Sequence, residues 1–226
     1  MAMTHGRVAL VTGSSRSLGA VIARRLARDG FAVAVNGRPG DDQVAAVGRA
    51  ICDDGGTAEG FCADVTDEDQ VTGLAAAVAD RLGPVDVLVL NATGPQPEAA
   101  VTDAAWAGHL AQLDFFVKSP VLLGRAVLPG MQARRYGRIV HIDSEVAHRP
   151  PPGRSAYATA KSAQIGLARS SARLARSSTM LRWGRCVPLY NFGSMVKAPD
   201  FGPTITSTSS APSSGSDSGE ICMPPP

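Results

Sequence analysis

Five short apolar runs that alternate with longer helical patterns constrain the fold of this chain more than any other feature. Rich in Val, Ile, Leu and Ala, they predict strands at 7–12, 31–36, 57–62, 85–90 and 137–143. Helices are predicted between them at about 18–29, 41–54, 67–82 and 104–135, and a last one from Ser155 to about Arg176. This alternation indicates an α/β fold with a doubly wound parallel sheet, because parallel neighbours need a crossover connection.

Length and composition suit a single α/β core. With 226 residues and 44% hydrophobic content, the chain can bury one such core without a second domain. The four cysteines and four histidines show no metal-ligand spacing, so we expect reduced thiols and no metal site. The first seven residues contain no extended apolar run, and no apolar stretch approaches the roughly 20 residues of a membrane span. We therefore expect a soluble, cytoplasmic protein without a signal peptide.

Acidic residues near the predicted helix ends are interpreted as caps rather than as catalytic acids. Thr66, with Asp69 three residues later, has the pattern of a helix start, and Asp67 and Glu68 would favour the positive end of the helix dipole. The same interpretation applies to two further pairs, Asp41 with Asp42 and Asp53 with Asp54.

A glycine-containing turn, Gly13-Ser-Ser-Arg-Ser-Leu-Gly19, joins the first predicted strand to the first helix. Ser17 occupies the place of a middle glycine. A strand, such a turn and a helix N-terminus bind phosphate because free backbone N–H groups and the helix dipole point at the anion. We expect a dinucleotide to bind here, although the motif alone is also compatible with an ordinary tight turn.

A second motif, Tyr157-Ala-Thr-Ala-Lys161, lies in the first turns of the last predicted helix, 155–176. Positions i and i+4 share a helix face, so the ammonium would lie beside the phenol. A nearby cation stabilises a phenolate, which makes a phenol with a pKa of about 10 usable in proton transfer near neutrality. Ser144, at the end of an apolar run, completes a candidate set for carbonyl reduction. An isolated pair of this kind is more often a solvated helix face.

Five motifs, in order and in register, resemble the short-chain dehydrogenase/reductase family, in particular its 3-oxoacyl-carrier-protein reductases. They are the turn 12–19, Asp64-Val65, Leu90-Asn91-Ala92-Thr93, the strand 137–144 that ends in Ser144, and Tyr157-Ala-Thr-Ala-Lys161. The resemblance covers about residues 6–175 and implies a Rossmann-type fold. It implies cofactor contacts from Gly13, Ser15, Arg16, Ser17, Leu18, Gly19, Arg38, Asp64, Val65, Asn91, Ala92, Tyr157 and Lys161.

The resemblance also implies hydride transfer between NADP(H) and a carbonyl or alcohol substrate. Tyr157 would give the proton to the carbonyl oxygen, and Ser144 would hydrogen-bond that oxygen. Lys161 would lower the pKa of the tyrosine and hold the nicotinamide ribose. Asp143 would point to the opposite face of the strand under regular alternation, and we give it no catalytic role.

The end of the second predicted strand bears on the choice of cofactor. An NAD-selective site usually places Asp or Glu there to bind the ribose hydroxyls, and that charge repels a 2′-phosphate. Here the segment 35–38 reads Val-Asn-Gly-Arg, with no acid until Asp41. Arg38 and Arg16 could contact the phosphate instead, so we predict that NADP(H) is preferred and NAD(H) possible. The alternative is that both arginines face solvent.

Phe116 is a departure from the family pattern. Counting back from Met131, it occupies the place of the family's asparagine, which holds a water in the proton relay behind the lysine. A phenyl ring cannot hydrogen-bond such a water. Asp114 lies about 200° round a helix from that position and is a poor substitute. Catalysis would then proceed more slowly through bulk water, or by another path.

The resemblance ends near residue 175. We expect residues 1–176 to form the dinucleotide-binding and catalytic domain, and 177–202 a divergent segment. In the tail, 203–226, 17 of 24 residues are Ser, Thr, Pro or Gly, which predicts disorder. Our hypothesis is a frame shift or divergent splice near 173–178, which would leave the sheet incomplete at its C-terminal edge. Residues 186–189 could still form a short sixth strand, although Pro188 limits its pairing.

Three functions compete at this point. The first is a reductase of a small or acyl-carrier-linked carbonyl, and the second is a dinucleotide-binding protein with impaired or no activity. A nucleic-acid binder would use Arg169, Arg173, Arg176, Arg182 and Arg185, but a net charge of +2 does not favour it. We expect neither nucleic-acid nor membrane partners.

A homo-oligomer through the helices at 104–135 and 155–176 stays open, since Leu110, Phe115, Val121 and Leu122 could belong to an interface or to the core.

Overall fold

The computed structural model describes residues 6–176, with side chains as far as residue 171. Within this part of the chain, strands and helices alternate as the sequence predicts. The strands are β1 (Val8–Val11), β2 (Ala32–Gly37), β3 (Thr57–Cys62), β4 (Val85–Leu90) and β5 (Arg138–His141). The α-helices are α1 (Ser17–Arg28), α2 (Gln43–Asp53), α3 (Glu68–Arg81), α4 (Trp106–Leu113), α5 (Ser119–Ala133) and α6 (Ser155–Arg176).

The predicted doubly wound parallel sheet is confirmed. Its strands lie in the order β3-β2-β1-β4-β5, and every pairing between them is parallel. Chain order reverses between β1 and β4, since β2 and β3 lie on one side of β1 and β4 and β5 on the other. The carboxyl ends of these strands therefore border a crevice at the switch point, where ligands bind in open α/β sheets.

The sheet separates two apolar layers. Leu10, Leu88 and Ile139 face α3 and α5, where they pack in a cluster that includes Leu123 and Met131. Alternate residues of the same strands, Val11, Val35 and Val89 among them, pack towards α1 and α2. Because β1 and β4 are covered on both faces, they read as continuous apolar runs rather than as alternating patterns.

The long helix predicted at 104–135 is interrupted. A π-helical turn, Asp114–Lys118, separates α4 from α5, and a 3-10 turn, Glu145–Ala147, follows β5. A π-turn inserts an extra residue into the helical ladder, and such turns occur frequently at functional sites. Phe116 lies in this turn.

The start of α3 differs from the predicted one by a residue. Asp67 is the N-cap, and its carboxylate accepts a 2.9 Å hydrogen bond from the Gln70 backbone N–H. Thr66 is not the cap, because its hydroxyl donates to Asp64 Oδ1 at 2.7 Å. The interpretation of Asp67 as a capping acid is thus confirmed, while the predicted role of Thr66 is wrong.

Several sequence predictions concern residues outside the described part of the chain: the sixth strand, the divergent segment 177–202 and the tail 203–226. Within residues 6–176, none of the helices is long and apolar enough to cross a bilayer. Across the side chains of 6–171, no three His, Cys, Asp or Glu residues are grouped so as to hold a metal ion. Cys52 and Cys62 are free and exposed.

His141 is the last residue of β5 and is buried, at 3% exposure. Among the described residues, neither of its ring nitrogens has a hydrogen-bond partner. Burial, and then the charge of Lys161, lower its pKa from 6.5 to about 4. The imidazole is therefore neutral in the folded protein at pH 5, where an unfolded histidine would be protonated.

We expect this histidine to make stability depend on pH. Between about pH 6.5 and pH 4 the unfolded state binds a proton that the folded state does not, so the free energy of unfolding falls as pH falls through this window. The contribution is about 2 kcal/mol between pH 7 and pH 5. Urea unfolding at these two pH values should show a smaller loss for His141→Leu than for the wild type. Equal losses in the two proteins would contradict this assignment.

Candidate active site

An open cavity of about 1020 Å³ lies at the carboxyl ends of the strands. It spans the switch point between β1 and β4 and continues to the end of β5. Every site residue predicted from the sequence lines it: Gly13, Ser15, Arg16, Ser17, Leu18, Gly19, Arg38, Asp64, Val65, Asn91, Ala92, Ser144, Tyr157 and Lys161. Residues up to 148 positions apart in sequence, Gly13 and Lys161, thus border one space.

The turn between β1 and α1 brings backbone close to the cavity. Gly13 has φ +60°, and a Cβ there would lie 2.8 Å from the Ala92 Cα. Ser17, in place of a glycine, also adopts a left-handed backbone, with φ +48°. No side chain of the described residues caps α1 with a hydrogen bond, and its first turn holds no acidic residue, so its N–H groups are available to an anion.

Two buried polar residues that the sequence interpretation missed support this turn. Ser14 Oγ donates to the Val11 carbonyl at 2.6 Å and accepts from the Asn36 backbone N–H at 3.0 Å. The Asn36 side chain accepts from Gly13 N–H at 3.4 Å and donates towards the carbonyl of Ala63 at 3.2 Å. Their signal in the sequence was a polar residue inside or directly after an apolar run, where burial requires a partner.

Two of the predicted catalytic residues, Tyr157 and Lys161, line the cavity as neighbours on α6. Tyr157 and Lys161 lie one turn apart on α6, and the Lys161 Nζ is 5.9 Å from the centre of the Tyr157 ring. Lys161 is only 3% exposed, and its Nζ donates to the Ile142 carbonyl at 2.7 Å and to Gln164 Oε1 at 3.1 Å. Gln164, another residue missed from sequence, is buried and helps to satisfy this ammonium.

Phe116 lies against both of these side chains. It is 2% exposed, its ring packs edge-on against Tyr157 at 5.4 Å between centres, and Lys161 Nζ stands 4.0 Å from its centre. Such a geometry is a cation–π contact, which stabilises a desolvated ammonium. An apolar ring thus lies beside the lysine, where a carboxamide could have bound water.

Asp143 does not lie apart from the site as regular strand alternation suggested. It lines the cavity together with Ser144, because β5 ends at His141 and alternation does not extend beyond it. The carboxylate, 3% exposed, accepts from the Ser144 backbone N–H at 2.7 Å and lies 3.1 Å from His148 Nε2. Asp143 therefore helps to fix the backbone that carries Ser144, whose Oγ accepts from Val146 N–H at 3.4 Å.

Charged residues surround the opposite end of the cavity, after β2. Arg38 lies 5.3 Å over the Phe115 ring. Burial would raise the pKa of Asp64, but hydrogen bonds from Thr66 and the charge of Arg38 bring it below its ordinary value. Asp41, interpreted as a cap, does accept the Gln43 backbone N–H at 3.2 Å, yet its other oxygen lies 2.9 Å from Arg16 Nη2. The capping interpretation of Asp41 is therefore incomplete.

The four apolar residues that could have belonged to an interface or to the core separate into three environments. Leu122 is buried in the core, and Phe115 lines the cavity. Leu110 and Val121 are exposed on the outer side of α4 and α5.

Gly19 and Gly73 offer a matched pair of tests. A Cβ at Gly19 would overlap the Gly13 carbonyl oxygen and lie 2.6 Å from Asn91 Nδ2, whereas one at Gly73 in α3 meets nothing within 4 Å. Gly19→Ala should lower the free energy of unfolding by about 1–3 kcal/mol. Gly73→Ala should raise it by about 0.5–1 kcal/mol, because alanine favours a helix interior. Urea unfolding measures both, and a Gly19→Ala protein as stable as the wild type would show that the turn is not close-packed.

Known proteins resemble this chain over most of its described length. It is 33% identical over 171 residues to the 3-oxoacyl-acyl-carrier-protein reductase FabG of Vibrio cholerae, covering 75% of this chain and 67% of that protein. It is 36% identical over 167 residues to cis-4-hydroxycyclohexanecarboxylate dehydrogenase of Sinomonas cyclohexanicum, covering 74% and 66%. With the human dehydrogenase/reductase SDR family member 4 it shares 34% over 166 residues, covering 74% and 59%. The chain thus spans 59% to 67% of these relatives' lengths.

Solved structures of oxidoreductases resemble the fold of this chain. A metagenomic short-chain oxidoreductase in complex with NADP has a TM-score of 0.74 and 34% identity, with 80% of each chain covered. NAD+-bound xylitol dehydrogenase has a TM-score of 0.74 and 30% identity, covering 79% of this chain and 68% of that one. The sequence profile described as short chain dehydrogenase matches residues 7–181. This protein belongs to the short-chain dehydrogenase family.

Proposed function

We propose that this chain is an oxidoreductase that transfers a hydride between a nicotinamide dinucleotide and a carbonyl or alcohol substrate. One observation carries the proposal: Ser144, Tyr157 and Lys161 border the same cavity as the uncapped N-terminus of α1. The cavity, about 1020 Å³, is at the upper end of the range of ligand pockets, about 300–1,000 Å³. The close approach of backbone at Gly13 suits the binding of a pyrophosphate there.

In the direction of reduction, the chain's own residues handle the proton and the charge on oxygen. The dinucleotide, when bound, supplies the hydride. The Tyr157 hydroxyl donates its proton to the carbonyl oxygen as that oxygen becomes an alkoxide. Ser144 Oγ–H donates a hydrogen bond to the same oxygen, which stabilises its developing charge. The Lys161 ammonium, held at Ile142 and Gln164, stabilises the phenolate that Tyr157 leaves behind.

The surroundings of Lys161 indicate the route by which Tyr157 would be re-protonated. Phe116 lies against both side chains and offers no polar atom to a water. We propose that protons reach the tyrosine from water in the open cavity rather than from behind the lysine. This route does not use the position that Phe116 occupies.

We further propose that the cofactor preferred is NADP(H), with NAD(H) accepted. Arg16 and Arg38 line the end of the cavity near β2, where they could contact a 2′-phosphate. Among the similar structures, one contains NADP and another NAD+. The preference within this chain therefore depends on its own charged residues.

For the substrate we propose a small or acyl-carrier-linked carbonyl compound. The resemblance to a 3-oxoacyl-acyl-carrier-protein reductase supports this class.

We also propose a homo-oligomer formed through the outer surface of α4 and α5 and through α6. Exposed Leu110 and Val121 support such a surface.

A second candidate function is a dinucleotide-binding protein without turnover. The observation that favours it is Phe116, buried against Tyr157 and Lys161 in place of a hydrogen-bonding residue. The two candidates agree on the cofactor and differ in catalysis. Cofactor binding without substrate-dependent oxidation would support the second.

Tyr157→Phe tests the role of the phenol. Loss of the proton donor should lower the rate of NADPH oxidation with a ketone or 3-oxoacyl thioester by about 10²–10⁴-fold. The affinity for NADPH, measured by nucleotide fluorescence, should change little. Tyr136→Phe is the matched control, because Tyr136 contacts Arg7 and does not line the cavity. Full activity in Tyr157→Phe would contradict the assignment.

Phe116→Asn tests whether the phenyl ring limits proton transfer. An asparagine could hold a water near Lys161, so we expect kcat to rise by about tenfold. Phe116→Leu removes the ring but adds no hydrogen-bonding group, and it should give no gain. Steady-state kinetics of both variants decide the point. If Asn and Leu variants turn over alike, Phe116 does not block a relay.

A further inference from the structure

Asp41 joins the loop after β2, in which it lies, to the turn before α1, and both border the cavity. Its Oδ2 accepts from Ser15 Oγ at 2.7 Å and from Arg16 Nη2 at 2.9 Å, both in the turn before α1. Its Oδ1 accepts from the Gln43 backbone N–H at 3.2 Å. The Asp41 side chain is 12% exposed, whereas that of Arg16 is 71% exposed. The carboxylate is therefore largely enclosed, whereas most of the arginine side chain is open to solvent.

The same carboxylate lies at the end of β2. Its Oδ2 is 3.2 Å from the place that a Cβ on Gly37, the last residue of β2, would occupy. Position 37 is a glycine, so the sequence shows no acid at the end of the strand. The fold nevertheless brings one there from four residues further along the chain, through a turn in which Asp41 N–H bonds the Arg38 carbonyl.

Each of the two arginines at this end of the cavity has a carboxylate nearby. Arg16 is paired with Asp41, and the charge of Arg38 acts on Asp64. Hydrogen bonds from Ser15 and Arg16 bring the pKa of Asp41 below its ordinary value of 3.8, so it is ionised at neutral pH. A 2′-phosphate that enters here meets an arginine whose charge a carboxylate already offsets.

We infer that Asp41 is a specificity-determining residue, which competes with the 2′-phosphate of NADP(H) for Arg16 and so limits the preference for this cofactor. A phosphate must displace or share the Asp41–Arg16 contact and lies near a carboxylate of like charge. NAD(H) has no such phosphate, and its ribose hydroxyls can donate to the same carboxylate. This inference rests on the proposed binding of a nicotinamide dinucleotide in the cavity.

Asp41→Asn removes the charge, and its one amide oxygen can still accept either from Ser15 or from the Gln43 backbone N–H, though not from both. The test measures dissociation constants of NADPH and NADH for the full chain by nucleotide fluorescence. The ratio KdNADH/KdNADPH should rise by about tenfold over the wild type. Because both constants come from the same protein, a general loss of folded protein affects them equally. Catalysis is not needed for this readout.

Asp42→Asn is the matched control, since Asp42 also lines the cavity but Asp41 alone makes the contact with Ser15 and Arg16 among these two. It should change the ratio by less than about threefold. Arg16→Gln should lower the ratio KdNADH/KdNADPH. In the Arg16→Gln background, Asp41→Asn should raise this ratio only slightly, because the two residues act through one contact.

Three outcomes would overturn the inference. One is an unchanged ratio in Asp41→Asn, and another is an equal rise in Asp42→Asn, which would reflect net charge alone. The third is a full tenfold gain in the Arg16→Gln background, which would exclude competition for this arginine. In each case both cofactors bind, so the proposed function stands. If neither cofactor binds the wild-type chain, the proposed function fails and the inference fails with it.

Discussion

The hydrogen bonds between Thr12 and Asn91 fix the geometry on which the rest of the site depends. Thr12 Oγ1 accepts from the backbone N–H groups of Asn91 and Ala92 at 3.0 and 3.1 Å, and Asn91 Nδ2 donates to the carbonyls of Thr12 and Gly13 at 3.0 and 2.9 Å. These bonds tie β1 to β4 where the chain order reverses. They set the width of the crevice, and both the turn before α1 and the residues after β4 take their positions from it.

Burial of Lys161 is the second constraint. A buried ammonium is costly unless its donors are satisfied, and here Ile142, Gln164 and the Phe116 ring surround it. The same surroundings place the cation beside Tyr157 and remove polar groups from one side of it. One packing arrangement thus supports both the proposed acid chemistry and the proposed route by which protons return to Tyr157.

Much of the fold was predictable because strand and helix periodicities differ and the chain alternates between them strictly. Strand ends were correct to within two residues or better, whereas the π-turn at 114–118 was not anticipated, since an inserted helical residue leaves no simple periodic signal. The cap of α3 was displaced by one residue, because Thr66 bonds Asp64 instead. Asp143 was misplaced because strand alternation was applied beyond the end of β5.

The sequence by itself determined the order of strands and helices, the glycine-containing turn after β1 and the spacing of Tyr157 and Lys161, because these features are local and depend on periods of two to four residues. Only the tertiary structure decided which charges meet. It brought Asp41 to the end of β2 and to Arg16 and enclosed Lys161 with Phe116 and Gln164. It also buried His141 with no hydrogen-bond partner in the part of the chain that the structure describes. Such contacts join residues distant in sequence, and sheet register and loop path, rather than local composition, bring them together.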